Sequence, residues 1–179
     1  MKTISQRMDK QRENKNPNIQ THYTPESLAK YCLNLVDYNE NDFLLDVGAG
    51  HNMVWYNNFN TKNRDWVEIE KGKDFFNYTK KVDWCLGNPP YKNLYDYMLK
   101  SFDISRKGVG FLVAIDGINR LTPKRLDEIK EKGFYLTKIS IVSCSKWFGR
   151  YFFIQFEKDK SKNILTWERT TFKDDVTNN

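Results

Sequence analysis

The 179-residue chain holds only three cysteines, Cys32, Cys85 and Cys144, widely spaced and without a CxxC pair. That pattern excludes a disulfide framework and a structural zinc site, and no metal ligation is expected. The three read instead as small buried hydrophobes in a reducing compartment. No apolar run is long enough to cross a bilayer, and the N-terminus is polar rather than signal-like. The sequence therefore predicts a soluble chain without membrane contact, cytoplasmic or, for a virus-encoded protein, in the host-cell cytoplasm. Internal repeats and long linkers are also absent after the first twenty residues. The length suits one compact domain and is short for two.

What is present is ordinary globular composition, 39% hydrophobic and 29% charged, which rules out a disordered chain. The net charge of +6 suits a polyanionic partner and equally a solvated surface, and composition does not choose between them. Residues 1–20 carry five Lys/Arg against two acidic residues and no apolar periodicity, and they read as a flexible basic arm. Such an arm either touches a phosphate backbone or is a solvated tail. A catalytic domain is expected over 21–160, followed by a short tail at 161–179 with room for one added strand near 164–169.

Within the domain, Thr24 and Pro25 mark a helix start, and apolar periodicity continues over 27–37. Strands are expected at 43–47, 66–69, 82–86, 109–115, 137–142 and 151–156, with helices at 93–102 and 123–132. The almost wholly apolar run 109–115 suits a strand buried on both faces. Strands alternating with helices predict a doubly wound, mostly parallel α/β sheet. The last two strands are joined by a loop too short for a crossover helix, so they form a C-terminal antiparallel hairpin.

Open parallel sheets bind ligands beyond the carboxyl ends of their strands. Asp46-Val47-Gly48-Ala49-Gly50 falls at such an end, where Gly48 and Gly50 allow close backbone approach to a ligand or serve packing alone. About twenty residues on, Glu68 ends the second expected strand, where a carboxylate can take both ribose hydroxyls of a nucleoside. Glu70 lies on the same strand face and competes for that role. Asp74-Phe75 can offer an acceptor to a cofactor's adenine amine and a wall to its ring; core packing is the other reading of Phe75. The segment after Gly50 lacks the third glycine of G-x-G-x-x-G, which favours S-adenosylmethionine over a dinucleotide.

Asp83-Trp84-Cys85-Leu86-Gly87-Asn88-Pro89-Pro90-Tyr91 is the sharpest feature. The exocyclic amine of a nucleobase is a poor nucleophile because its lone pair is delocalised into the ring. The Asn88 side-chain oxygen and the Pro89 carbonyl can each accept one of its hydrogens, favouring a pyramidal nitrogen whose lone pair points at a methyl donor. Two acceptors set in advance at the developing charge stabilise the transition state without reorganisation, and alignment supplies the rest. Each proline fixes its own φ, and Pro90 restrains Pro89, so the carbonyl is aimed in one direction. Tyr91 offers a flat face for base stacking, worth about 1–3 kcal/mol.

On Tyr23-Thr24-Pro25, Asp46 to Gly50, Glu68, Asp74-Phe75 and Asn88 to Tyr91, the chain resembles the S-adenosylmethionine-dependent DNA adenine-N6 methyltransferases whose cofactor motifs precede the catalytic one. The resemblance spans roughly 23–156 and implies a Rossmann-like class I methyltransferase fold with S-adenosylmethionine as cofactor. It implies that the Tyr23-Thr24 segment and Asp46 meet the cofactor's amino-acid end, and that a later loop aromatic closes the base sandwich. Phe148 is preferred for that place over its neighbour Trp147, which would contact nucleic acid. Two departures stand out. The Glu68–Asp74 interval is too short for the usual helix and strand, so the sheet is expected to lack one strand. Nothing after Phe156 is large enough for a recognition domain, so selectivity is expected to be relaxed, or to come from loops or a partner subunit.

The expected substrate is adenine in DNA, flipped from the stack, with Arg120 and Lys124 on phosphates or simply solvated. The alternatives are adenine in RNA, a glutamine amide in a protein, and a subunit of a larger methyltransferase. The oligomeric state is left open.

Overall fold

A computed structural model describes residues 24–144 and 150–165. The secondary structure runs α1 (Glu26–Leu33), β1 (Leu44–Val47), α2 (Val54–Asn58), β2 (Arg64–Val67), β3 (Val82–Gly87), α3 (Leu94–Ile104), β4 (Ser105–Ala114), α4 (Ile115–Asn119), α5 (Pro123–Glu131), β5 (Tyr135–Val142) and β6 (Tyr151–Glu157). The strands form one six-stranded sheet in the order β2-β1-β3-β4-β6-β5. β2, β1, β3 and β4 are parallel neighbours, and β6 runs antiparallel between β4 and β5. This is the doubly wound sheet with a C-terminal antiparallel hairpin that the element pattern predicts.

Side-chain alternation divides the core into two layers. Val109, Phe111 and Val113 of β4 face one cluster with Leu94, Met98 and Phe102 of α3 and Ile129 of α5. Leu112 of β4 and Trp84 and Leu86 of β3 face the other, with Ala29, Cys32 and Leu33 of α1 and Trp55 of α2. Helices thus cover both faces of a sheet whose central strands are buried on each side. Every fully buried large side chain in these layers contributes about 1.5–3 kcal/mol. Cys32 and Cys85 sit in the core as hydrophobes, with burial pushing each thiol up to about 12, and Cys144 is half-buried.

The structure differs from the sequence reading at several boundaries. α1 ends at Leu33 rather than 37, and its Tyr31 is 47% exposed with its hydroxyl on Ser140 Oγ at 3.0 Å. β2 begins earlier and stops at Val67, because Glu68 turns to cap the 3-10 turn Ile69–Lys71 through Glu70 N. β4 starts at Ser105, four residues before the apolar run, since its polar first residues still pair with β3. The short helices α2 and α4 have no periodic signal at five residues each. Between Glu68 and Asp74 lie only that 3-10 turn and an isolated bridge from Glu68 to Lys73, so β2 is the edge of the sheet among the described residues. The tail begins beside β5, with Ile164 N donating to Leu136 O at 3.0 Å, and residues 166–179 lie outside the described residues. No described helix is long and apolar enough to cross a membrane.

Candidate active site

β1 and β3 are adjacent and parallel, with Asp46 opposite Leu86, so the turns that follow them emerge side by side. The first turn holds Gly48 at φ +75° and Gly50 at φ +64°, conformations that favour glycine. A Cβ on Gly48 would stand 3.2 Å from Pro89 Cα and 3.4 Å from Pro90 Cδ, so this glycine is where the two turns pack together. Gly48 N and Ala49 N both donate to Val67 O, at 3.2 and 3.0 Å, and Gly50 N donates to Glu68 Oε2 at 2.7 Å. The turn is thereby pinned to the end of β2 on one side and abuts the Asn-Pro-Pro turn on the other.

Between these turns opens a cavity of about 260 Å³ lined by Thr24, Gly48, Gly50, Glu68, Asn88, Pro89, Pro90 and Tyr91. With Glu70, which also lines it, nine of the residues singled out by sequence therefore meet in one place. Asp46 lies under them, with no solvent exposure. Its Oδ2 accepts from Tyr56 N at 2.9 Å, while Oδ1 finds no hydrogen-bond partner among the described residues. Burial, with the nearby Glu68 charge adding to it, raises the Asp46 carboxyl to about 7 against the lowering effect of the Tyr56 N–H.

Asn88 Nδ2 donates to Thr24 Oγ1 at 3.3 Å, tying the Asn88–Tyr91 turn to the segment that starts α1. Tyr91 is half-buried against the α1/α2 side of the core. Burial raises its phenol above the ordinary range, with the neighbouring Tyr151 acting in the same direction and a hydrogen bond with Asn88 opposing it. The Tyr91 ring therefore borders the cavity with its hydroxyl turned inward, rather than standing clear as a free stacking plate.

Other expected residues fall elsewhere. Asp74 and Phe75 do not line the cavity. Asp74 caps a 3-10 turn through Phe76 N at 2.9 Å, and Phe75 is a core residue stacked on Tyr97 of α3 at 5.1 Å. Arg120, after α4, donates to Lys92 O at 3.1 Å, so it holds the chain that leaves Tyr91; Lys124 is exposed on the first turn of α5. Tyr23, Trp147 and Phe148 lie outside the described residues. Among the described residues, Tyr151 at the start of β6 pairs with Ala114 at the C-terminal end of β4.

Four residues here were not singled out from the sequence. Trp55, 2% exposed, donates from Nε1 to Thr24 Oγ1 at 3.2 Å. Ile69, 65% exposed, lines the cavity beside Glu68, where a large apolar side chain directly after the strand-ending acid was the available signal. Asn52 lines it from the loop before α2. Gly87 sits at φ +145°, and a Cβ there would stand 2.6 Å from Val47 O and 3.1 Å from Asp46 Oδ1. A glycine directly before the Asn-Pro-Pro run could have marked it. Gly87→Ala is expected to cost about 1–3 kcal/mol of stability by overpacking, read as a lower urea midpoint; an unchanged midpoint would mean that β1 and β3 can part there.

Neither a protein-family model nor a curated protein sequence matches the chain. Solved structures do. The chain is similar to a Pyrococcus horikoshii protein assigned as an RNA methyltransferase, with 21% identity, TM-score 0.60, and 88% of this chain and 99% of that one covered. It is similar to a dimethyladenosine transferase from Plasmodium falciparum, with 12% identity, TM-score 0.58, and 79% of this chain and 64% of that one covered. A magnesium protoporphyrin IX methyltransferase (ChlM) from Synechocystis PCC 6803, solved with bound S-adenosylmethionine, has 8% identity, TM-score 0.53, and coverage of 75% and 79%. At these identities the likeness is one of architecture, and the architecture is the Rossmann-like fold of the class I S-adenosylmethionine-dependent methyltransferases.

Proposed function

We propose that this chain transfers the methyl group of S-adenosylmethionine to the exocyclic amine of adenine in a nucleic acid, with DNA as the favoured polymer. The observation that carries this reading is the shared cavity: the Asn88–Tyr91 turn borders the same space as Gly48, Gly50 and Glu68. The residues fit the cofactor. Asp46 Oδ1 is a buried oxygen without a partner beneath the glycine turn, suited to the donor's ammonium group. The Glu68 carboxylate, bonded to Gly50 N, keeps lone pairs for ribose hydroxyls, and the exposed Ile69 beside it supplies the apolar wall expected of Phe75. When bound, S-adenosylmethionine supplies an electrophilic methyl group on a sulfonium.

The chain's own part is to orient and polarise the amine. The Asn88 amide oxygen and the Pro89 carbonyl accept its two hydrogens, so positive charge developing on nitrogen is met by acceptors already in place. Pro89 is buried, and Pro90 restricts the Pro89 backbone, which limits the directions that carbonyl can take. Tyr91 borders the base from one side, and the aromatic expected on the other is Phe148 or Trp147, which lie outside the described residues. Arg120 and Lys124 lie beyond the Tyr91 turn, where phosphates of an extruded nucleotide would pass, although Arg120 shares its guanidinium with Lys92 O.

A second reading, adenine in RNA, is favoured by two similar structures, the Pyrococcus protein assigned as an RNA methyltransferase and the dimethyladenosine transferase. The test offers methyl-labelled S-adenosylmethionine with duplex DNA, single-stranded DNA, RNA and protein extract, then identifies the labelled product after digestion. Label as N6-methyladenine in DNA is expected. Label confined to RNA moves the substrate to the second reading, and label confined to protein sinks both.

A further inference from the structure

We propose that the free edge of β5 is the docking site of the chain's own segment 166–172, added there as a strand parallel to β5. The inference does not depend on the methyl-transfer reading above. β5 ends the sheet, with β6 on one side and no strand on the other among the described residues. In an antiparallel pair, every second residue turns its N–H and C=O away from its partner. An eight-residue strand left in that state is a template for another strand and is normally covered. Its side chains show the same gap. Ile139 pairs with Ile154 and Ile141 with Phe152, so both isoleucines lie on the sheet face that carries the α3/α5 core layer. Ile141 is nonetheless 73% exposed and Ile139 38%.

The path of the chain after β6 points to the occupant. β6 finishes at Glu157, opposite Tyr135 at the start of β5. The 3-10 turn Lys160–Lys162 follows, held to Glu157 Oε2 by Lys162 Nζ at 3.1 Å. The chain then returns to the first residues of β5: Ile164 N donates to Leu136 O at 3.0 Å, and Leu165 packs on the same core layer as Leu136 and Ile154. One backbone bond of the added pairing is therefore already in place. The next residues, Thr-Trp-Glu-Arg-Thr-Thr-Phe, are mostly β-branched or aromatic, hold neither Pro nor Gly, and give way to the polar Lys173-Asp174-Asp175. They are enough to follow β5 from Leu136 to its end at Val142. Side chains alternate along a strand, so in this arrangement Trp167 shares the face of Leu165 and covers Ile139 and Ile141. The N–H groups of Thr166, Glu168 and Thr170 follow that of Ile164 toward β5.

The test measures amide hydrogen exchange by NMR in the full chain. In the wild type, the amides of 137–142 that face away from β6 are expected to exchange at least about tenfold more slowly than open-edge amides, equally at low and high protein concentration. Glu168→Pro removes an N–H aimed at β5 and is expected to return those amides to fast exchange. Arg169→Pro, whose lost N–H faces solvent, is compatible with an edge strand and should keep most of the protection. A tail that merely lies nearby does not distinguish two neighbouring prolines. The amides of β1 and β3 report whether the sheet is intact. Should Glu168→Pro disturb them, Trp167→Ala takes its place, with faster exchange expected at 139–141. Unprotected outward amides in the wild type would overturn the proposal, as would protection left intact by both Glu168→Pro and Trp167→Ala. Equal loss in the two proline variants would overturn the strand pairing. Protection that appears only at high protein concentration would assign the edge to a second copy of the chain instead.

Discussion

Asn88→Ala is expected to lower turnover by about a hundred- to a thousandfold, the scale lost when one preorganised partner is removed from a developing charge. Binding of S-adenosylmethionine is expected to stay within a few-fold of wild type, because Asp46, Glu68 and the glycine turn remain. The structural cost should be small. Asn88 is half-buried, and Thr24 Oγ1 still accepts from Trp55 Nε1 after the substitution, so with the Tyr91 bond also lost about 1–3 kcal/mol of hydrogen bonding is at stake. Turnover, cofactor affinity by calorimetry and the urea midpoint separate these effects. Undiminished turnover would remove Asn88 from the chemistry. A large fall in the midpoint would mean that the turn is mainly a folding element.

Asp46→Asn is expected to act on stability and on cofactor binding in opposite directions. The carboxyl is fully buried, and desolvation, with the Glu68 charge adding to it, raises its folded-state value to about 7 from an ordinary 3.8. Between those values the folded chain binds more protons than the unfolded chain, so stability falls as pH rises from about 4 through 7. Above that window the ligand-free protein carries a buried charge with one oxygen unpartnered, a cost on the order of 4 kcal/mol at most. The asparagine variant does not ionise. Its melting temperature should therefore exceed that of wild type at pH 8, with the gap closing toward pH 5.

The same charge is useful once a cation faces it. Losing a charge-assisted hydrogen bond to the cofactor's ammonium costs about 1.5–3 kcal/mol, so Asp46→Asn should weaken S-adenosylmethionine binding by roughly ten- to a hundredfold at pH 8. Wild-type affinity should rise between pH 6 and 8 as the carboxyl gives up its proton. Affinity flat with pH in the wild type, together with unchanged affinity in the variant, would take Asp46 out of the cofactor site.

Much of the fold was legible because its signals are local. The run 109–115 is apolar at nearly every position because β4 is covered by helices on both sides, and the short gap before Tyr151 leaves no room for anything but an antiparallel return. Boundaries were less legible where the backbone, not the side chains, decides. Ser105 belongs to β4 through its pairing with Val82, which no hydrophobic pattern records. Glu68 lies outside β2 because its carboxylate is drawn to Gly50 N and Glu70 N, a long-range contact and a local one acting together.

The candidate site divides in the same way. Asp46 to Gly50 and Asn88 to Tyr91 could be read from the chain, because the chemistry demands small residues, a buried acid and rigid acceptors in fixed order. Phe75 could not be placed: whether an aromatic after a turn faces a ligand or the core depends on what lies across from it, and Tyr97 of α3 does. The sequence by itself determined the class of architecture and the two turns on which function is proposed, since both follow from residue type and spacing along the chain. Only the tertiary structure decided that Gly48 packs on Pro89, that Trp55 and Asn88 share one threonine oxygen, and that an Asp46 oxygen is buried without a partner. Those are contacts between segments tens of residues apart, set by strand order and helix packing.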